Sequence, residues 1–154
     1  MQKIAVLFAA GLAAAGATAQ APVGRVSVGL QASYDFNDLN EPALGAHLLV
    51  GLGSGLAFYP TAQGYFVPTG TLWRASAALY WAPRTTAVTP YVAVGPYLTK
   101  SSGAGTHVTE TGVIGQVGAE GRLSRVRPFA ELQLLVGGAF ASEVVGGVRV
   151  AIGP

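Results

Sequence analysis

The stretch Thr71-Leu72-Trp73-Arg74-Ala75-Ser76-Ala77-Ala78-Leu79-Tyr80-Trp81 decides how the chain is read. Side chains of an extended strand point alternately to its two sides. One side then carries Trp73, Ala75, Ala77, Leu79 and Trp81, apolar throughout with an indole at each end. The other carries Leu72, Arg74, Ser76, Ala78 and Tyr80, a mixed face. The indoles lie eight residues apart, which is about 27 Å along a strand rising about 3.4 Å per residue.

Tilted by roughly 40°, such a strand covers about 20 Å of height, close to the roughly 25 Å apolar band that a transmembrane barrel presents to lipid. Trp favours the edges of that band, because its ring is apolar and its N–H seeks water. Taken alone, the stretch equally fits a soluble sheet with Trp in its core. The rest of the chain separates the two.

Of the 154 residues, 51% are hydrophobic and only 10% are charged, which is poor in charge for a soluble domain. Past the N-terminal run, no apolar stretch reaches the ~20 residues a membrane helix needs. Hydrophobicity without such a helix points to strands whose lipid-facing residues occupy alternate positions. There is no Cys, so no disulfide staples the domain. A closed barrel has another solution, since its backbone hydrogen bonds close on themselves. The formal charge of +2 falls to +1 without Lys3, and the basic residues form no stripe. Nucleic acid is therefore not an expected partner.

Met1-Gln2-Lys3 is followed by an apolar run over 4–15 and by Ala17-Thr18-Ala19. This is the pattern of a secretory signal peptide, residues 1–19, cut after Ala19. Residues 20–154 then form one domain.

Eight segments alternate or run apolar at strand length: 25–35, 43–53, 56–59, 71–81, 90–99, 108–122, 128–136 and 143–152. The first is the clearest, with Val26, Val28, Leu30, Ala32 and Tyr34 opposite Arg25, Ser27, Gln31, Ser33 and Asp35. Gly53-Ser54-Gly55 reads as a tight hairpin turn. Pro60 is expected to stop the third segment or to sit at a bulge, leaving 61–70 as a loop. Pro96, lacking an N–H, is expected at a bulge or beyond the ladder. Residues 100–105 read as a Gly/Ser-rich loop.

The fold class is all-β: an eight-stranded antiparallel up-and-down transmembrane β-barrel after the signal peptide. With both termini inside, connections 53–55, 82–87 and 123–127 fall inside. Those at 36–42, 61–70, 100–107 and 137–142 fall outside. The alternative is a soluble secreted barrel of lipocalin type, polar outside and lined by apolar residues around a small ligand.

Tyr80 near Pro83, Pro90-Tyr91-Val92-Ala93-Val94-Gly95, the run from Gly112 to Glu120, Phe129-Ala130-Glu131-Leu132 and Gly147-Val148-Arg149 occur in this order. The ordered set resembles the small outer-membrane β-barrel domain family, the group of OmpX-like, opacity-type and OmpA-barrel proteins. It covers the last half of the chain well and the first half by pattern only. The resemblance implies a cofactor-free barrel in the bacterial outer membrane, a monomer with the lipid and the barrel assembly machinery as partners. Members include adhesins, structural anchors and many proteins of unknown role. One departure is the ending Val150-Ala151-Ile152-Gly153-Pro154, where family chains commonly finish on an aromatic.

The face opposite the apolar one collects Arg25, His47, Arg74, Gln116, Glu120, Glu131, Gln133 and Arg149. A narrow lumen tolerates charges only when they are paired. The expectation is a polar plug built on Glu131–Arg149, with Glu120 and one of Arg74 or Arg25 nearby. It fills the lumen and is not a gated pore. Trp73 and Trp81 form the aromatic girdle. Asp35, Asp38, Glu41, Lys100 and His107 are candidate binding residues of outer loops, where a rigid barrel carries its function. His47 and His107 are the only histidines and lack metal-ligand spacing. No G-x-S-x-G elbow occurs, and the Gly-rich run 112–121 precedes no helix that could make it a phosphate loop. An enzyme is not expected. A narrow pore and a lipid A-modifying enzyme remain lesser alternatives to a structural or surface-interaction role.

Overall fold

A computed structural model describes residues 25–36, 40–83, 87–103, 105–121, 123, 125–138 and 140–152. The signal-peptide reading of 1–19 and the candidate Asp38 lie outside them. Eight strands run in chain order: β1 Val26–Asp35, β2 Pro42–Gly53, β3 Leu56–Tyr65, β4 Thr71–Trp81, β5 Val88–Gly103, β6 Thr106–Gly121, β7 Val126–Val136 and β8 Phe140–Ile152. Each pairs antiparallel with the next, and β1 pairs with β8 from Val26↔Ile152 to Asp35↔Glu143, closing the barrel. No helix of the described residues is long and apolar enough to cross a membrane.

Alternation sets what faces where. In β4, Leu72, Arg74, Ser76, Ala78 and Tyr80 are buried in the lumen, while Trp73 and Leu79 are exposed on the outer wall. Val28, Leu30, Leu44, Leu48, Val94 and Val117 are among the exposed apolar residues of the other strands. Burial is therefore inverted relative to a lipocalin: the wall outside is apolar, and the interior combines charged and polar side chains with aromatic and small apolar clusters. A soluble barrel would leave this wall against water, far beyond the few hundred Å² of apolar patch a soluble monomer tolerates.

The strands differ from the sequence reading most at β3, β5, β6 and β8. Strand β3 continues through Pro60 to Tyr65 and is not a loop beyond residue 60. Its register with β4 is unbroken, Pro60↔Ala77 included, whereas toward β2 the pairing skips from His47↔Thr61 to Val50↔Phe58. One missing donor thus costs a local ladder contact on one side, and the bulge lies instead at Gly51/Gly53. Pro96 behaves alike. It pairs with Val113 of β6, while pairing with β4 skips from Ser76↔Tyr97 to Leu79↔Val94 without a change of register. The expected loop over 100–105 is mostly strand, since β5 runs to Gly103 and β6 starts at Thr106. Finally, β8 starts at Phe140, ahead of Glu143.

The turn at Ser54 and Gly55 has φ of 54° and 78°. Positive φ at both central residues matches the right-handed twist of a two-residue hairpin.

Glycine also makes room in the lumen. Gly29 faces His47, Gly118 faces Tyr91, Gly112 faces Tyr97 and Gly147 faces Phe129 as direct cross-strand partners. In each case the ring occupies the space a Cβ would take. At Gly147 a Cβ would meet both the Phe129 ring and the Leu30 carbonyl, so no side-chain rotation relieves it. Gly147→Ala is expected to destabilise the barrel by about 1–3 kcal/mol, the usual cost of overpacking. Urea titration of the refolded protein in lipid vesicles measures it.

Candidate functional site

Side chains from several strands meet across the lumen in two polar groups. The lower group forms around Arg149, which is fully buried. Its Nη1 donates to Glu120 Oε2 at 3.0 Å, and Arg127 Nη1 donates to Glu120 Oε1 at 3.1 Å. Arg127 and Arg149 are register partners on β7 and β8. One carboxylate therefore bridges two guanidiniums that would otherwise repel. The Arg149 guanidinium carbon also lies 4.4 Å from the Phe129 ring centre and 5.2 to 5.8 Å from those of Tyr59, Tyr91 and Tyr80. Ring faces are negative, so this cage favours a cation.

Glu131 does not pair with Arg149, contrary to the expectation. It accepts from Tyr91 at 2.6 Å, Gln133 Nε2 at 2.6 Å and Tyr59 at 3.4 Å. The cause is register. Glu131 lies opposite Val145, while Arg149 lies opposite Arg127, nearer the inner end.

The upper group forms around Glu143, also fully buried. It accepts from Arg74 Nη1 at 2.7 Å, from Gln63 Nε2 at 2.9 Å and from the Tyr65 hydroxyl. Arg74 also donates from Nε to Thr99 Oγ1 at 3.2 Å and lies over the rings of Tyr65 and Tyr97. From Gln63 the chain continues to Gln31 at 3.0 Å and on to His47 Nδ1 at 2.9 Å. The His47 ring packs edge-on against Tyr59 and Phe129 and so touches the lower group. Gln116 is buried between strands, and neither of its side-chain polar atoms has a hydrogen-bond partner.

The structure brings His47, Arg74, Glu120, Glu131, Gln133 and Arg149 into the lumen. Arg25 is not among them. It precedes the first paired residue of β1 and is exposed. Asp35 is no loop residue: it ends β1, faces inward and is 1% exposed. Glu41 lies in the connection before β2, and its carbonyl accepts from the Asp35 N–H. Lys100 is exposed on β5 as the register partner of Trp73. His107 is exposed on β6, and its Nδ1 bonds Ser102 Oγ at 2.9 Å. Among the described residues no carboxylate completes a triad there, and none of their His, Asp and Glu form a metal-binding group. Trp73 lies near the start of β4 and Trp81 ends it, both on the outer wall of the barrel.

Gln31, which alternation places on the inward face, belongs to the network, as do Glu143, Gln63 and Tyr65, which the sequence reading does not reach. Strand parity alone could have placed Glu143, an even number of residues from Arg149 on the same strand. Gln63 and Tyr65 were hidden by the early end assigned to β3.

At the end of the barrel that carries the β5–β6 tip, a cavity of about 240 Å³ opens among Asp35, Arg74, Tyr97, Thr99, Val108 and Glu110. Arg74 of the upper group lines it.

No family model and no curated protein matches this sequence. Solved structures do. The N-terminal β-barrel domain of Pseudomonas aeruginosa OprF superposes with a TM-score of 0.70 at 12% identity, over 84% of this chain and 98% of that one. Ail, the attachment invasion locus protein of Yersinia pestis, gives 0.64 at 12% identity over 85% and 100%. Neisserial surface protein A gives 0.62 at 16% over 82% and 95%. De novo designed transmembrane β-barrels are equally similar, at 0.66 and 13% over 86% and 99%. A designed barrel and natural ones thus share the backbone almost without shared sequence, as expected when the alternation and closure set the fold. This chain has the fold of the small eight-stranded outer-membrane β-barrels.

Proposed function

We propose that the chain is a monomeric protein of the bacterial outer membrane, inserted by the barrel assembly machinery, whose outer end binds a partner at the cell surface. The observation that carries this is the closed barrel with an apolar outer wall and a paired, polar lumen. Trp73 and Trp81 at the two ends of the wall support a bilayer between them. The outer-membrane neighbours support the same compartment, and the attachment name of Ail supports a surface-interaction role.

The lumen serves as a structural plug. Two buried ion-pair groups tie strands far apart in sequence, and eight strands leave an interior that side chains just fill. The test is conductance. The protein, refolded and inserted in planar lipid bilayers at neutral pH, is expected to give no steady open level. A reproducible open channel in most insertions would make it a pore and overturn the plug. No catalytic constellation supports an enzymatic role, and incubation with lipid A is expected to leave its acyl chains unchanged by mass spectrometry.

A further inference from the structure

We propose that the barrel end formed by the starts of β1 and β7 and the end of β8 holds an anionic phospholipid, with its phosphate between Arg25 and Arg125 and one acyl chain along the outer face of β8. The proposal rests on the membrane reading above and assigns it a lipid site.

The first observation is how charge is distributed along the barrel axis. Consecutive strands are antiparallel, so β1 and β7 start at the end where β4, β6 and β8 finish. Among the described residues this end carries Arg25, Arg125, Arg127 and Arg149, with Glu120 among them. The opposite end carries Asp35, Glu41, Glu110 and Glu143, with Arg74 and Lys100. Glu120 is already taken by Arg127 and Arg149. Arg25 and Arg125 are exposed, and among the described residues neither enters an ion pair. Guanidiniums gathered without a matching carboxylate attract an anion, and their forked N–H donors suit phosphate oxygens.

The second observation is where these two arginines stand. Arg25 precedes Val26, the register partner of Ile152 at the end of β8. Arg125 precedes Val126, and its carbonyl accepts from the Ala151 N–H at 3.0 Å. They therefore flank the end of β8 from its two sides, about 10 Å apart across two ladder spacings. One phosphate between them is within reach of both side chains. At a rim position a long side chain carries its charge into the headgroup layer. Trp81 ends β4 at this same end of the barrel.

The third observation is a path for the tail. Val148, Val150 and Ile152 are exposed on the outer face of β8. Farther along that face, Gly146 is open: a Cβ there would find only the Phe129 carbonyl, at 4.0 Å. Its register partners are Ala32 and Ala130, both exposed, so this row forms a shallow dip in the wall. Ile152 and Gly146 lie six residues apart, which is about 20 Å along a strand and about 15 Å of height at a tilt of roughly 40°. Half of a hydrocarbon core is also about 15 Å. One acyl chain thus runs from the arginine pair to the dip. A soluble anion would use the arginines and not the strip beside them, and the two together select a lipid.

The test uses the whole chain in nanodiscs of equal phosphatidylcholine and phosphatidylglycerol, with the lipid retained after release identified by native mass spectrometry. Phosphatidylglycerol is expected to be retained over phosphatidylcholine by about twentyfold, each arginine near an anionic headgroup being worth roughly fivefold. Arg25→Gln combined with Arg125→Gln should bring the two lipids to parity. Arg25→Lys combined with Arg125→Lys should keep most of the preference, because the charges stay. Gly146→Leu fills the dip and should lower the amount of lipid retained. Equal retention of the two lipids by the unaltered chain, a Gln pair that keeps the preference, or a Gly146→Leu chain that keeps as much lipid would overturn the proposal. So would release of the lipid by inorganic phosphate but not by chloride at the same ionic strength, which marks a site for a free anion. The fold of each variant is checked by its gel mobility, unboiled against boiled. A normal heat-dependent shift beside any contrary result removes the lipid site and leaves the membrane reading intact. A shift missing from the unaltered chain removes the membrane reading itself.

Discussion

Glu120→Ala is expected to destabilise the barrel by about 3–5 kcal/mol, the cost of stranding a buried charge. Glu120 is the carboxylate between Arg149 and Arg127, at 3.0 and 3.1 Å. Those two arginines face each other across β7 and β8, and the first has no solvent exposure. Without Glu120 a fully buried guanidinium loses its ion-pair partner and keeps ring faces, the Tyr80 hydroxyl and the Tyr59 hydroxyl, 3.4 Å from its Nη2, with Glu131 acting on it without an ion-pair contact. Ring faces do not neutralise a full charge. Replacing Glu120 and Arg149 together by Leu and Met should cost much less, because removing both charges removes the desolvation penalty with them. Equilibrium unfolding in urea, followed by the fluorescence of Trp73 and Trp81 in lipid vesicles, gives both values. An equal loss for the single and double variants would show that packing around Arg149, and not its charge, holds the lower lumen together.

Leu30→Arg is the second large effect, and it acts on the outer wall. Leu30 lies in the middle of β1, opposite Ala46 and Val148, and is 67% exposed. In water an exposed Leu to Arg change stays within about 0.5 kcal/mol of neutral. At the centre of a bilayer it costs about 2–4 kcal/mol. The same substitution at Phe66, exposed beyond the end of β3, should cost about 0–1 kcal/mol, as it lies near the interface. The contrast between the two positions reads depth in the membrane directly. Loss of stability at Leu30 in lipid vesicles, with little loss at Phe66, is the expected pattern. Equal, small losses would mean that the wall meets water.

How much of this was legible in the sequence follows from what periodicity can carry. Trp73 to Trp81 and Val26 to Tyr34 alternate so strictly that both strands and both faces could be read directly. Strand parity also placed His47, Arg74, Glu120, Glu131 and Arg149 inside. Pairing across the lumen was another matter. It depends on stagger between strands, and a shift of one pair of residues changes every partner. Glu131 was expected to meet Arg149 because their strands are neighbours, yet the register puts Val145 opposite Glu131. The prolines misled for a different reason. Pro60 and Pro96 each remove one donor, but a closed barrel holds every strand from two sides, so the ladder on the other side carries the strand through. Asp35 has the inward parity of β1, and grouping it with Asp38 and Glu41 as an outer-loop candidate conflicts with that parity, which the structure bears out. The extension of β5 and β6 to Gly103 and Thr106 was not legible, because a Gly/Ser-rich stretch reads as a loop unless its partner strand is known.

The central claim is that the chain is a closed barrel embedded in the outer membrane. Its most direct test is to isolate that membrane fraction and run the protein on a detergent gel, boiled and unboiled. The protein is expected to be membrane-bound, with an unboiled form that migrates differently from the boiled one, because a hydrogen-bonded barrel resists detergent until heated. A soluble periplasmic or secreted protein with the same mobility before and after boiling would contradict it.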